Sequence, residues 1–286
     1  MKIAAVQAHV SFNDPVANSK FAIETISELA SQGVNFIVFP EAFLTGYCVD
    51  SSEEAHKISI NRDHPAITDI EVACSRHDVL AVVGFAERDK HSVKNTAVLF
   101  EPGVENRFYS KAHLPLLGLD RFVEAGTELP IFETRYGSIG ILICFDLRPP
   151  EATRTLALKG ARLIVLPTNW PVGAEVSAET ICIARAAENR IFLVTCDRVG
   201  EENGFTFIGK SKIIAPTGKV FSSAEDQATI LIAEIDLLEA EQKTIINIPG
   251  KYETEVFASR KPHLYSVITE QIPAAESSDT REVSRA

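Results

Sequence analysis

The stretch GILICFDLRPPE, residues 140–151, carries the reading of the chain. An apolar run from Ile139 to Ile143 reaches Cys144, then breaks at once into Asp146, Arg148, two prolines and Glu151. Two readings fit these residues alone. In one, Cys144 is a small hydrophobe that closes a core strand, since free cysteine is common in interiors. In the other it is a nucleophile presented at the last position of a strand, ahead of a helix that Pro149 and Pro150 start.

Similar apolar runs recur outward from this one, among them KIAAVQA, NFIVFPE, VLAVVGFA, NTAVLF, RLIVLPTNW, IFLVTCD and ATILIAEID. Several are nearly continuous Val, Ile and Leu, which reads as strands covered on both faces. Helical patterns lie between them. DPVANSKFAIETISELASQG places Val16, Phe21, Ile23, Ile26 and Leu29 near helical spacing, with Gly33 as its C-cap. PPEATRTLALKG ends on Gly160 in the same way, and GAEVSAETICIARAAENR is a third helix. Alternating strands and helices indicate an α/β layered domain. Polar turns in EPGVENRF and APTGKVF add hairpins.

The chain has 286 residues and a net charge of −11. That length favours one large domain or two small ones. An acidic chain without a long basic run argues against nucleic acid or an anionic membrane as partner. The apolar runs are too short to span a bilayer, and the N-terminus lacks the pattern of a signal peptide. Five cysteines at wide spacings form no Cys-x-x-Cys pair, so neither a zinc site nor a redox dithiol is expected. Seven scattered histidines give no helical His pair, so no metal and no cofactor is expected. Reduced thiols suit a cytoplasmic protein.

Three strand ends stand out. FIVFPEAFLTGY runs into Glu41, RFYSKAHLP into Lys111, and the opening stretch into Cys144. Singly these are a helix-terminal acid, a surface charge and a core thiol. Together, at the strand ends of an α/β fold, a carboxylate, an ammonium and a thiol make a coherent acyl-transfer set.

In order and spacing, FPEAFLTGY, YSKAHLP and LICFDLRPPE resemble the three catalytic blocks of the nitrilase superfamily of carbon–nitrogen hydrolases. The resemblance extends from KIAAVQ through PTNWP and ARAAENRIFLVTCDRVG to SRKPHLY, roughly residues 2 to 268. It implies a four-layer α-β-β-α sandwich over 1–268, a homodimer or higher homo-oligomer, and a small-molecule amide as substrate. The polar residues 269–286 are expected to form a flexible tail.

The resemblance also implies a triad. Glu41 is the base, Cys144 the nucleophile, and Lys111, with the Phe145 backbone N–H, the oxyanion donor. Many members carry a second glutamate between the lysine and cysteine blocks. Here LPLLGLDRFVEAGTELPIF offers Asp120 or Glu124, and neither matches cleanly. Asn169 and Trp170 of PTNWP, at another strand end, are expected to line the pocket, with His113 supporting it. Asp146 and Arg148 are expected to hold the elbow, and Glu151 to meet Arg185 as a buried pair. Cys182 and Cys196 are expected in the core, and Cys48 near the pocket mouth. True nitrilases resemble Cys-Trp-Glu at the nucleophile. Cys-Phe-Asp here favours hydrolysis of a small primary amide, with an N-carbamoyl amine or amino acid as the alternative.

Overall fold

The computed structural model describes residues 1–90 and 92–271. The first half of the large unit gives β1 (Lys2–Gln7), α1 (Pro15–Ser31), β2 (Phe36–Val38), α2 (Ser52–Ile58), α3 (Pro65–His77), β3 (Leu80–Asp89), β4 (Ser92–Glu101) and β5 (Val104–Ser110). The second half gives β6 (Ile131–Thr134), β7 (Gly137–Ile141), α4 (Pro150–Leu158), β8 (Leu163–Pro167), α5 (Cys182–Asn189) and β9 (Phe192–Cys196). It closes with β10 (Val199–Glu202), β11 (Phe205–Ile208), β12 (Lys212–Ile214), β13 (Val220–Ser223) and β14 (Thr229–Glu234).

Two sheets of six strands result, ordered β14-β1-β2-β3-β4-β5 and β13-β12-β9-β8-β7-β6. Each has three parallel strands at its centre, β1-β2-β3 and β7-β8-β9, flanked by antiparallel neighbours. β1 lies against β9 and β3 against β8, so the sheets face one another. Helices α1 and α3 cover the first sheet through Ala22, Ile26, Leu29, Ile67 and Ile70. On the second, Leu156 of α4 packs at Gly140, and α5 packs on β9 and α4. The four-layer α-β-β-α sandwich is thus present. Covering both faces of β1 explains why Ile3, Ala4, Ala5 and Val6 are all buried, and why the run shows no alternation.

Three local expectations are corrected. Helix α1 buries Ala22, Thr25, Ile26 and Leu29, while Val16 and Phe21 stand 70% and 43% exposed. Phe21 lies roughly 140° around the helix from Ile26, so the small Ala22 and Thr25 join Ile26 and Leu29 in the packed stripe while Val16 and Phe21 fall outside it. The third helix is not one regular segment: a π-helical turn at Ser177–Ile181 precedes α5. Strand β7 ends at Ile141, and Cys144 instead opens a 3-10 turn, Cys144–Leu147.

Contacts divide the chain into this large unit, Met1–Lys243, and a second beginning at Thr244. The second has an antiparallel hairpin, β15 (Thr244–Ile248) with β16 (Tyr252–Glu255), then two short 3-10 turns. Most of the tail expected at 269–286 lies outside the described residues. Among the described residues no helix is long and apolar enough to cross a membrane.

Candidate active site

Parallel strands leave their carboxyl ends along one edge of a sheet, and side chains that follow them converge there. Glu41 follows β2, Lys111 follows β5, Cys144 follows β7, and Asn169 with Trp170 follows β8. Glu41 and Lys111 are fully buried, and Cys144 is 6% exposed.

The Lys111 ammonium donates to Glu41 Oε1 at 2.7 Å and to Asp120 Oδ2 at 2.5 Å. Asn95, from the middle of β4, donates through Nδ2 to Glu41 Oε1 at 2.7 Å and to Asp120 Oδ1 at 2.8 Å. The Tyr47 hydroxyl completes the shell of Asp120, at 2.7 Å from Oδ2. Burial raises the Glu41 carboxyl above its ordinary range, with the Asp120 charge adding and Lys111 opposing. Burial works against the Lys111 ammonium, but the Asp120 and Glu41 carboxylates outweigh it and hold the lysine well above its usual value.

The Lys111 loop is tied at both ends. Lys111 N donates to Asn95 O, and Gly126 N donates to Lys111 O, both at 2.8 Å. Gly126 must be glycine here, because a Cβ would come within 2.1 Å of Ser110 O.

Cys144 sits at φ +45°, the left-handed region that costs an L-residue roughly 1–2 kcal/mol. Asp146 holds that turn. Its buried carboxylate accepts from Ile143 N at 3.0 Å, Tyr109 Oη at 2.7 Å and His113 N at 2.9 Å, and meets His113 Nδ1 at 2.7 Å. One carboxylate therefore bridges the cysteine elbow to the loop that carries Lys111. Burial, then the Glu41 charge, push the Cys144 thiol above its ordinary range, against Lys111, the Thr168 hydroxyl and the Asn169 backbone.

A cleft of about 350 Å³ opens onto Cys144. Phe145 and Trp170 line it, with Pro115, Leu117 and Val172 as further apolar wall and Arg148 and Ser177 as its polar part. His113, Asp120 and Asn169 stand outside that lining. Asp120 is turned inward onto Lys111, Asn95 and Tyr47, and His113 is held by Asp146. Asn169 is fully buried, and both polar atoms of its side chain lack a partner among the described residues. Glu124 is exposed on the surface and takes no part.

The chain as a whole has counterparts among known proteins. A family model described as Carbon-nitrogen hydrolase matches residues 2–243. The chain belongs to the carbon–nitrogen hydrolase family. A nitrilase of Pyrococcus abyssi is 35% identical over 93% of this chain and 99% of its own. A 2-oxoglutaramate amidase of Bacillus subtilis is 32% identical over 83% of this chain and 92% of its own. An amidase structure from Nesterenkonia, 21% identical, matches the fold with a TM-score of 0.80 over 94% of this chain and 96% of its own.

The remaining cysteines of this carbon–nitrogen hydrolase are buried. Cys182 donates to Ala178 O and Cys196 to Val6 O and Val38 O. Cys48 lies in an apolar cluster with Tyr47, Val49 and Leu119 and outside the cleft lining, its N–H held by Glu202 Oε1 at 2.7 Å. Glu202 also accepts from Tyr47 N at 2.7 Å and pairs with the buried Arg198, which fixes the loop carrying Tyr47.

The pairing of Glu151 with Arg185 is not formed. Glu151 is exposed, and Arg185 reaches Leu147 O, Arg148 O and Glu188 instead. The guanidinium thus caps carbonyls at the end of the cysteine turn, which a charge-pairing argument overlooks. Sequence reasoning named the Asn95 strand only as part of the resemblance and gave Asn95 no role, and it missed Tyr47. A buried Asn within an apolar strand was the available signal for the first.

Proposed function

We propose that this enzyme hydrolyses a small primary amide to a carboxylic acid and ammonia through a thioester on Cys144. One observation carries the reading: a buried carboxylate–ammonium pair lies within electrostatic reach of a thiol that opens to a small cleft. Burial favours the protonated form of the Cys144 thiol, so attack on a poor electrophile needs a base. Glu41, which burial raises above its ordinary range, suits that task.

Glu41 takes the Sγ proton as sulfur bonds to the amide carbon. The carbonyl electrons move to oxygen, where Lys111 Nζ and the Phe145 N–H receive the charge. N–H groups at the start of a helical turn have no partner within it, and such donors are worth about 3–4 kcal/mol at an oxyanion. The C–N bond then breaks, Glu41 returns the proton to nitrogen, and ammonia leaves. Water adds to the thioester with Glu41 as base again, the C–S bond breaks, and the acid departs with the thiol restored.

The cleft volume fits a small molecule. Its wall is apolar apart from Ser177 and Arg148, whose guanidinium donates to the Ser177 hydroxyl at 3.3 Å. A cation there favours an acyl group that ends in a carboxylate and disfavours a cationic carbamoyl amine. The relative from Bacillus subtilis is named for an amide of that acidic kind.

The test is a panel scored for ammonia and carbon dioxide: the monoamide of a short dicarboxylic acid, a neutral amide of equal length, N-carbamoylputrescine and a short nitrile. Cys144→Ala serves as blank. The monoamide should be fastest, and Arg148→Gln should raise its KM about tenfold without changing that of the neutral amide. Carbon dioxide released with ammonia from the carbamoyl compound alone would replace this reading with carbamoyl hydrolysis.

A further inference from the structure

The two acids beside Lys111 are not equivalent. Asp120 is fully engaged: Oδ2 accepts from Lys111 and Tyr47, and Oδ1 from Asn95. Glu41 is half engaged. Its Oε1 accepts from Lys111 and Asn95, while its Oε2 is buried and has no partner among the described residues. Asn95 is the neutral donor that bears on both acids: it takes Oδ1 of Asp120 and shares Oε1 of Glu41 with Lys111.

Asn95 is fully buried in β4, and three of its atoms bear on the site or are set by it. Its carbonyl holds the Lys111 N–H at 2.8 Å. An amide nitrogen carries two hydrogens, and Nδ2 spends one on each carboxylate. Its Oδ1 lacks a partner among the described residues. The reverse orientation would point that oxygen at two carboxylates, so the network leaves a single assignment.

We infer that Asn95 is a positioning residue for Glu41 as base: with Lys111 it holds Oε1, and through Asp120 Oδ1 it fixes the carboxylate pair, so that Oε2 is the carboxylate oxygen left for the Cys144 proton. The inference rests on Glu41 being the base, as proposed above. Asn95 touches neither substrate nor sulfur in this role and acts through the two acids.

The charged and titratable groups acting on Glu41 come from five elements. They are Lys111 after β5, Asp120 in a 3-10 turn at Gly118–Arg121, Tyr47 and Cys48 in the loop after β2, Cys144 in the elbow and Asp197 after β9. In this set Lys111 is the cation and Asn95 the neutral donor. Its hydrogen bond favours the charged form of Glu41. Removing it lets Glu41 retain a proton to higher pH.

The experiment compares pH profiles of kcat/KM for wild type, Asn95→Leu, Asn95→Ser and Glu41→Gln. Leucine keeps the volume and removes both donors. Its acid limb should move up by about one pH unit, so that activity falls most at low pH and partly recovers at high pH. Asn95→Ser, with one small donor, should shift the same way by less, and it carries the test if Asn95→Leu fails to fold. A drop in activity that is equal at every pH in both variants means that Asn95 only supports the fold, and overturns the inference. Glu41→Gln separates the two levels: if it retains activity, Glu41 is not the base and both readings fall. If it is inactive while the Asn95 limbs stay put, the inference alone falls.

Discussion

Gly84 lies directly against the Glu41 backbone. A Cβ on Gly84 would stand 2.8 Å from Glu41 Cα, 2.6 Å from Pro40 O and 2.5 Å from Ala42 N. These neighbours are main-chain atoms, so none can rotate aside. The block is also tied to the same strand, with Leu44 N donating to Gly84 O at 3.0 Å, and it contains Ala42 at φ +47°. The first prediction follows from this contact. Gly84→Ala should displace the base, lowering kcat about 10²-fold for a shift near an ångström. It should cost about 1–3 kcal/mol of stability through overpacking. Steady-state kinetics and thermal melts measure both. Wild-type kcat in a folded variant would show that this contact does not place Glu41.

Lys111 offers a second prediction. Its ammonium is the cation between two fully or nearly buried carboxylates. Lys111→Met leaves those carboxylates side by side without it. Breaking such a buried set costs about 3–5 kcal/mol, and loss of the oxyanion donor proposed above should lower kcat by about 10²–10³-fold. The stability deficit should shrink as pH falls, because protonation of Glu41, which burial favours, removes the repulsion. Melting temperatures of variant and wild type across pH 5 to 8 test the sign. A gap that widens on acidification contradicts the geometry.

The parts of the site that could be read from the chain are those with local causes. Glu41 and Lys111 each follow an apolar or aromatic run, so their places beyond strand ends were visible; Cys144, expected as the last residue of its strand, lies beyond it, in a 3-10 turn. The role of Asn95 was not visible, because its partners lie 54 and 25 residues away and nothing in NTAVLF announces them. The choice between Asp120 and Glu124 depended on a loop whose course is set by Gly126 against Ser110 and by Leu119 N on Tyr47 O, all outside any periodic pattern. The strand-to-helix order gave the layers. The packed face of α1 was misread because large apolar residues outweighed Ala22 and Thr25, which fit closer to the sheet.

That loop supports a third prediction. Asp120→Asn keeps the shape but replaces one acceptor of the Lys111 and Tyr47 bonds with an N–H. It should lower kcat/KM at least tenfold, about 1.4 kcal/mol. Glu124→Gln, on an exposed position, should match wild type. Equal behaviour of the two variants would remove Asp120 from the machinery.

The last prediction concerns His113 and Asp146. Their hydrogen bond at 2.7 Å raises the histidine above its ordinary value of about 6.5; burial opposes the shift, and the Asp146 and Glu151 charges add to it. A folded value above the unfolded one means that the charged pair stabilises the native state fully below about pH 6.5. The contribution is then lost as pH rises through the raised folded value. His113→Gln keeps a polar side chain and removes the titration. The melting-temperature difference between wild type and His113→Gln should therefore be larger at pH 6 than at pH 9. Because Asp146 also holds Ile143 N and Tyr109 Oη, Asp146→Ala should lower stability and kcat together at both pH values. The two variants separate charge from scaffold: an advantage of wild type over His113→Gln that is the same at pH 6 and pH 9 would show that the imidazolium contributes nothing, leaving Asp146 to hold the cysteine elbow through its neutral donors alone.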